Sequence, residues 1–120
     1  MSASKLILII DDEEFLRNSI KLLLERSGFQ TATFGSSEEA VRYLTIQKVD
    51  LILLDVLMNN ENGLDSFPIL QQLCPSAPIV ILSADGSKET MQRAERLGTA
   101  AFLLKPISPA ELMKLVQELV

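Results

Sequence analysis

The sequence predicts an α/β domain: a five-stranded parallel sheet, doubly wound, with helices on both faces. Three observations carry that prediction. Residues 51–54 (Leu-Ile-Leu-Leu) form an apolar run with no polar alternation, and residues 6–10 and 79–82 repeat the pattern; strands buried on both faces read this way. Stretches of helical apolar period separate the runs, so strand and helix alternate five times along the chain. No linker, internal repeat or low-complexity segment interrupts the alternation.

The first strand spans residues 5–10 and ends directly on Asp11-Asp12-Glu13-Glu14. In the following helix Leu16, Ile20, Leu23 and Leu24 share one face, and Gly28 is expected to end it. The acids at its start suit the positive end of the helix dipole. Residues 29–34 form a strand polar enough, with Gln30, Thr31 and Thr33, to lie at the sheet edge. Ser36-Ser37-Glu38-Glu39 is a capping box for a helix faced by Ala40, Val41 and Leu44.

The central strand, 49–57, carries Asp55 at its end and gives way to a polar loop, Met58-Asn59-Asn60-Glu61-Asn62-Gly63. A helix over 65–73 holds Pro68 in its first turn, where a missing N–H costs little, and Pro75 ends it. The strand over 78–82 leads into Ser83-Ala84-Asp85-Gly86. The helix over 88–97 has only Met91, Ala94 and Leu97 to turn inward, so the weakest packing is expected there; Gly98 caps it. The fifth strand, 100–104, ends on Lys105-Pro106. Ser108-Pro109-Ala110-Glu111 joins an N-cap, a proline at the first helical position and a capping box. Leu112, Leu115, Val116 and Leu119 form the last core stripe.

Composition narrows the chemistry. Residues 1–120 read as one domain with room for a single core. No apolar run approaches the length of a membrane span, and the first five residues are too few for a signal peptide. One cysteine, Cys74, excludes an internal disulfide, and a reducing cytoplasm is the expected setting. A net charge of −5 argues against direct nucleic-acid binding. With no histidine and one cysteine, neither a Cys/His zinc site nor a Ser-His-Asp or Cys-His arrangement can be built. Chemistry must come from carboxylates, lysine, hydroxyls and backbone amides, with a hard divalent cation.

The strand ends supply those groups together. Asp11 and Asp12 follow the first strand, Asp55 the third, Ser83 the fourth and Lys105 the fifth. Open α/β sheets bind ligands at this carboxyl edge. Singly, Asp12 reads as a helix N-cap, Ser83 as a turn cap and Lys105 as a surface lysine; the coincidence of all five favours a site. Three crowded carboxylates repel and raise one another's pKa values. Mg²⁺ (or Mn²⁺) relieves this and leaves room for a phosphoryl oxygen. A carboxylate oxygen of Asp55 could then attack phosphorus, with Lys105 and the Ser83 hydroxyl binding the oxygens of the transferring group.

From residue 5 to 120 the chain resembles a response-regulator receiver domain of two-component signalling. The resemblance rests on Asp11-Asp12-Glu13, on Asp55 and Met58 with Gly63 eight residues after Asp55, on Ser83-Ala84 and on Lys105-Pro106. It implies a flavodoxin-like sheet of order 2-1-3-4-5. It implies Asp55 as phosphoacceptor. Asp12, Asp55 and the Leu57 carbonyl become direct Mg²⁺ ligands, and Asp11 a ligand through water. Ser83 and Lys105 become phosphoryl-binding groups, with a cis peptide before Pro106. Phe102 matches the switch aromatic, alongside Ser83; its plainer reading is core. The resemblance further implies a histidine kinase or phosphotransfer protein as donor, and a downstream protein or fused output domain as target. A phosphorylation-dependent dimer is admitted, and no membrane is involved.

Two departures stand out. Asn59 replaces a proline frequent in the family, which predicts a looser loop. Leu57 and Asp85 occupy positions that tune acyl-phosphate lifetime in the family. Apolar Leu57 cannot orient a water, so slow self-dephosphorylation is expected, with no turnover of external substrate. Two other readings compete. A non-phosphorylated protein-binding domain is opposed by the intact acids, Ser83 and Lys105. An Asp-nucleophile phosphohydrolase usually needs a second Asp where Leu57 stands. A dinucleotide-binding enzyme is disfavoured because no glycine-rich loop follows the first strand.

Overall fold

The computed structural model describes residues 4–120; residues 1–3, part of the segment read for a leader, lie outside the described residues. The main sheet holds β1 (Leu6–Ile10), β2 (Gln30–Phe34), β3 (Leu51–Asp55), β4 (Ile79–Ser83) and β5 (Ala101–Leu104). The strands are all parallel, in the order β2-β1-β3-β4-β5. The helices are α1 (Glu14–Arg26), α2 (Ser37–Leu44), α3 (Phe67–Leu73), α4 (Lys88–Leu97) and α5 (Pro109–Leu119). Among the described residues no helix is long and apolar enough to cross a membrane.

Alternate residues of the same strands feed two separate cores. Leu8, Ile10, Ile52, Leu54 and Ile81 pack with Ala40 and Leu44 of α2, Phe67 and Leu70 of α3 and Ala94 of α4. Ile7, Ile9, Leu51, Leu53, Val80 and Leu82 pack with Ile20 and Leu24 of α1 and Leu112 and Val116 of α5. Each of these large side chains contributes roughly 1.5–3 kcal/mol by burial. With both faces apolar, burial leaves strand register weakly specified. Polar bonds at the strand ends add what alternation does not supply. At one end the Leu6 N–H donates to the Asp50 carboxylate at 2.8 Å. At the other the Asp11 N–H donates to the Phe34 carbonyl at 3.0 Å.

The helix ends follow local chemistry. Ser36 caps α2 and Ser108 caps α5, each hydroxyl accepting from the N–H three residues on. Gly28 lies one residue beyond the α1 cap, Ser27, at φ +94°. Its N–H donates to Glu25 and that of Phe29 to Leu24, the paired bonds of a Schellman ending.

Three local expectations are corrected. Part of the polar loop is a two-stranded antiparallel ribbon, Leu57–Met58 against Glu61–Asn62. Residues Gly63–Ser66 form a 3-10 turn, so α3 begins at Phe67 rather than at residue 65. On α4, Met91 is 47% exposed. The inward line runs through Thr90, Arg93, Ala94 and Leu97, the true i, i+3, i+4, i+7 face. Thr90 donates to the Asp85 carboxylate and Arg93 to that of Asp65, so polar bonds hold positions that apolar counting assigned to Met91. Only Ala94 of α4 is fully buried, in line with the weak packing expected there.

Candidate functional site

The sheet order reverses between β1 and β3, and the carboxyl edge beside that reversal is where doubly wound sheets open a crevice. Asp11, the residue after β1, is fully buried. Its Oδ1 accepts from the Glu13 N–H at 2.9 Å, and its Oδ2 lies 3.2 Å from Lys105 Nζ. Asp55, the last residue of β3, has a side chain only 2% exposed, and its Oδ1 stands 3.4 Å from the same Nζ. That oxygen accepts no well-directed hydrogen bond. Asp12 is half-buried beside them. Carboxylate oxygens of Asp11, Asp12 and Asp55 all lie within 4.8 Å of one another.

Two backbone groups complete the mouth. The Leu57 N–H lies near the Asp55 carboxylate and favours its charged form. In the ribbon, the Gly63 N–H donates to the Val56 carbonyl at 2.6 Å, while Leu57 stands opposite Asn62. Alternation of bonded and non-bonded pairs then turns the Leu57 carbonyl away from the partner strand. Ser83 ends β4, fully buried; its Oγ accepts from the Asp85 N–H at 2.9 Å and lies 3.2 Å from the Asp85 carbonyl. The pairing of Asp55 with Leu82 places Ser83 one step beyond Asp55 at the same edge. Lys105 follows β5, its N–H donating to the Ser83 carbonyl at 2.7 Å, and the Lys105–Pro106 peptide is cis. Phe102 sits on β5, half-buried against the α2–α4 core.

The electrostatics single out Asp55. Burial, then the negative charge of Asp11, pushes its pKa up to about 7, against the pull of Lys105. Burial alone would lower the Lys105 pKa, but Asp55 and Asp11 outweigh it and hold the ammonium form above its ordinary range. The site therefore carries more negative charge than its single lysine balances, on oxygens too buried for water to compensate fully. Such a donor set, all oxygen with one unsatisfied, fits a hard divalent cation.

Asn59 corrects another expectation. Its φ is +43° and its N–H donates to Asp12 Oδ2 at 2.7 Å. Proline could supply neither that angle nor a donor. The residue expected to loosen the loop thus pins it to the acid cluster. The signal was the pair Asn59-Asn60 between Met58 and Glu61, since asparagine favours tight turns with positive φ.

A doubly wound sheet with this acidic pocket and its lysine defines a receiver domain. Residues 7–117 match the sequence model of the response regulator receiver domain, and the chain belongs to that family. The transcriptional regulatory protein GlrR of Escherichia coli is 31% identical over 112 residues, 93% of this chain and 25% of GlrR. The chain thus spans about a quarter of that relative's length. The chemotaxis protein CheY of Thermotoga maritima is 29% identical over 92% of each chain. A response regulator from Burkholderia pseudomallei, solved with a phosphorylated aspartic acid, a calcium ion and citrate, has a TM-score of 0.89 at 28% identity. That match covers 95% of this chain and 67% of that one.

Proposed function

We propose that this chain is a phosphoryl-accepting switch with Asp55 as acceptor, loaded by a histidine kinase or phosphotransfer protein. The observation that carries the reading is the Asp55 carboxylate itself. It is buried, unsatisfied at Oδ1 and held in reach of both an acid pair and Lys105. A carboxylate oxygen of Asp55 forms the new P–O bond as the donor's P–N bond breaks, and the electron pair leaves on the imidazole nitrogen. Asp12, Asp55 and the Leu57 carbonyl would hold Mg²⁺ directly, with Asp11 acting through water. The ion would supply positive charge to the phosphoryl oxygens. Lys105 ion-pairs with the transferred group, and the Ser83 hydroxyl leaves Asp85 to donate to it. That shift, with Phe102 turning inward, biases a two-state equilibrium read on the α4-β5-α5 face by a downstream protein or a fused output domain. The phosphorylated aspartate and bound calcium of the Burkholderia protein support the acceptor and cation roles.

The test is incubation with acetyl phosphate and Mg²⁺, followed by intact mass. A gain of one phosphoryl group, lost with EDTA present, is the expected result. An unchanged mass at all Mg²⁺ concentrations would leave a protein-binding domain as the better account, and steady hydrolysis of a phosphate ester would favour the phosphohydrolase.

Leu57 bears on how long the acyl phosphate lasts. Its side chain is 52% exposed at the mouth and has no group to orient an attacking water. Leu57→Asn is expected to shorten the acyl-phosphate lifetime several-fold, about 1 kcal/mol in the barrier. Decay of the phosphorylated mass with time measures it; a lifetime that stays the same or doubles contradicts this reading.

A further inference from the structure

We propose that Arg17 is a positioning residue for the acidic cluster: it fixes the peptide between Asp11 and Asp12 so that Mg²⁺ meets the carboxylates already arranged. The inference rests on the acceptor reading above. Arg17 lies in the second turn of α1, half-buried, and its Nη1 donates to the Asp11 carbonyl at 2.8 Å. The Asp11 N–H is already committed to the Phe34 carbonyl at 3.0 Å. Both backbone groups of Asp11 are therefore held, and the Asp11–Asp12 peptide plane cannot turn without breaking a bond. Asn59 fixes Asp12 from the other side, at the carboxylate. Gly35 explains how the guanidinium reaches its place: a Cβ there would sit 3.2 Å from Nη1, tighter than ordinary packing.

The sign of the effect separates positioning from charge. By Coulomb's law alone, removing a cation beside an acidic pocket strengthens Mg²⁺ binding. If Arg17 positions the acids, its removal weakens binding instead. Partners that orient metal ligands from behind typically carry 10–100-fold in affinity.

Calorimetric titration of the full chain with Mg²⁺ alone is the measurement. Arg17→Met is expected to weaken Mg²⁺ binding about tenfold, and Arg17→Lys to recover part of the loss. Gly35→Ala, which keeps the arginine but crowds it, moves affinity the same way by a smaller factor. The Arg17→Met/Gly35→Ala double variant is no weaker than Arg17→Met, since both act through one contact. Arg42→Met removes the same charge from an exposed Glu38 pair on α2 and leaves binding unchanged or slightly tighter. The acetyl-phosphate rate of Arg17→Met is expected to return to the wild-type value at saturating Mg²⁺, because Arg17 touches no reacting atom. Unchanged or tighter Mg²⁺ binding by Arg17→Met overturns the inference. Should that variant fail to fold, Arg17→Gln decides: unchanged or tighter Mg²⁺ binding there overturns it equally. A wild-type chain that takes no Mg²⁺ overturns the acceptor reading itself, and this inference with it.

Discussion

Asp55→Asn is expected to accept no phosphoryl group and yet, in EDTA at pH 8, to be more stable than the wild type by roughly 2–4 kcal/mol. The two effects have one origin. Burial and the charge of Asp11 raise the folded-state pKa of Asp55 to about 7, against 3.8 for a free side chain. Between those values the folded chain holds a proton that the unfolded chain has released, so stability falls as pH rises from about 4 to about 7 and then levels off. Below pH 4 the residue is neutral in both states and contributes nothing. Asparagine stands in for the neutral form at every pH, so its advantage should vanish in acid and reach full size above pH 7. Loss of a partner for Lys105 trims the gain from its ceiling near 4 kcal/mol. Urea unfolding at pH 4 and pH 8 measures the difference. Saturating Mg²⁺ should close it, because the cation binds the folded wild type and stabilises it by mass action. Equal or lower stability of Asp55→Asn at pH 8 in EDTA would mean that the Asp55 carboxylate is not strained by its surroundings. The site would then lose its physical reason for wanting a cation.

Such a tension was partly legible in the residue order. Acids after β1 and β3 and a lysine after β5 could be placed at one sheet edge by alternation alone. Their crowding was therefore predictable, but not its distribution. Burial does not separate Asp11 from Asp55; partners do, since Asp11 Oδ1 accepts from the Glu13 N–H whereas Asp55 Oδ1 has only a distant ammonium. Those backbone partners are set by the turn that follows each strand, which periodicity does not encode. The same limit explains Met91. Helical spacing picked three apolar residues on α4, but polar bonds from Thr90 and Arg93 decide which line of the helix faces in. At Asn59 the residue type alone points to a looser loop than proline would give, whereas the stiffness comes from a backbone donor that proline lacks. Arg17 gave no sequence signal at all, since a half-buried arginine on an amphipathic helix reads as an ordinary flank. The spacing of Gly63 from Asp55 has a steric reason.

Replacing that glycine should be among the most damaging single changes in the chain. Gly63→Ala is expected to cost about 3 kcal/mol or more, as overpacking against an immovable backbone does. An added Cβ would lie 2.0 Å from the Asp55 carbonyl oxygen, 3.0 Å from its carbon and 3.3 Å from Leu54 Cδ1. Neither side can yield easily. β3 is buried along its whole length, and the Gly63 N–H is bonded to the Val56 carbonyl at 2.6 Å. Relief requires the 3-10 turn to swing off the strand, and the strand's last residue is Asp55, the proposed acceptor. Any folded fraction should therefore bind Mg²⁺ more weakly and phosphorylate more slowly, beyond what lost stability explains. Gly28→Ala provides the contrast. Gly28 has φ +94° with nothing within 4 Å of a new Cβ, so its cost is conformational only, about 1 kcal/mol. That position is remote from the acids and should leave Mg²⁺ affinity alone. Thermal or urea unfolding of the two variants side by side, with Mg²⁺ titrations of each, distinguishes a glycine needed for its angle from one needed for its missing carbon. If Gly63→Ala proves as mild as Gly28→Ala, β3 and the loop after it are not locked together. Asp55 would then owe its position to the carboxylate contacts alone.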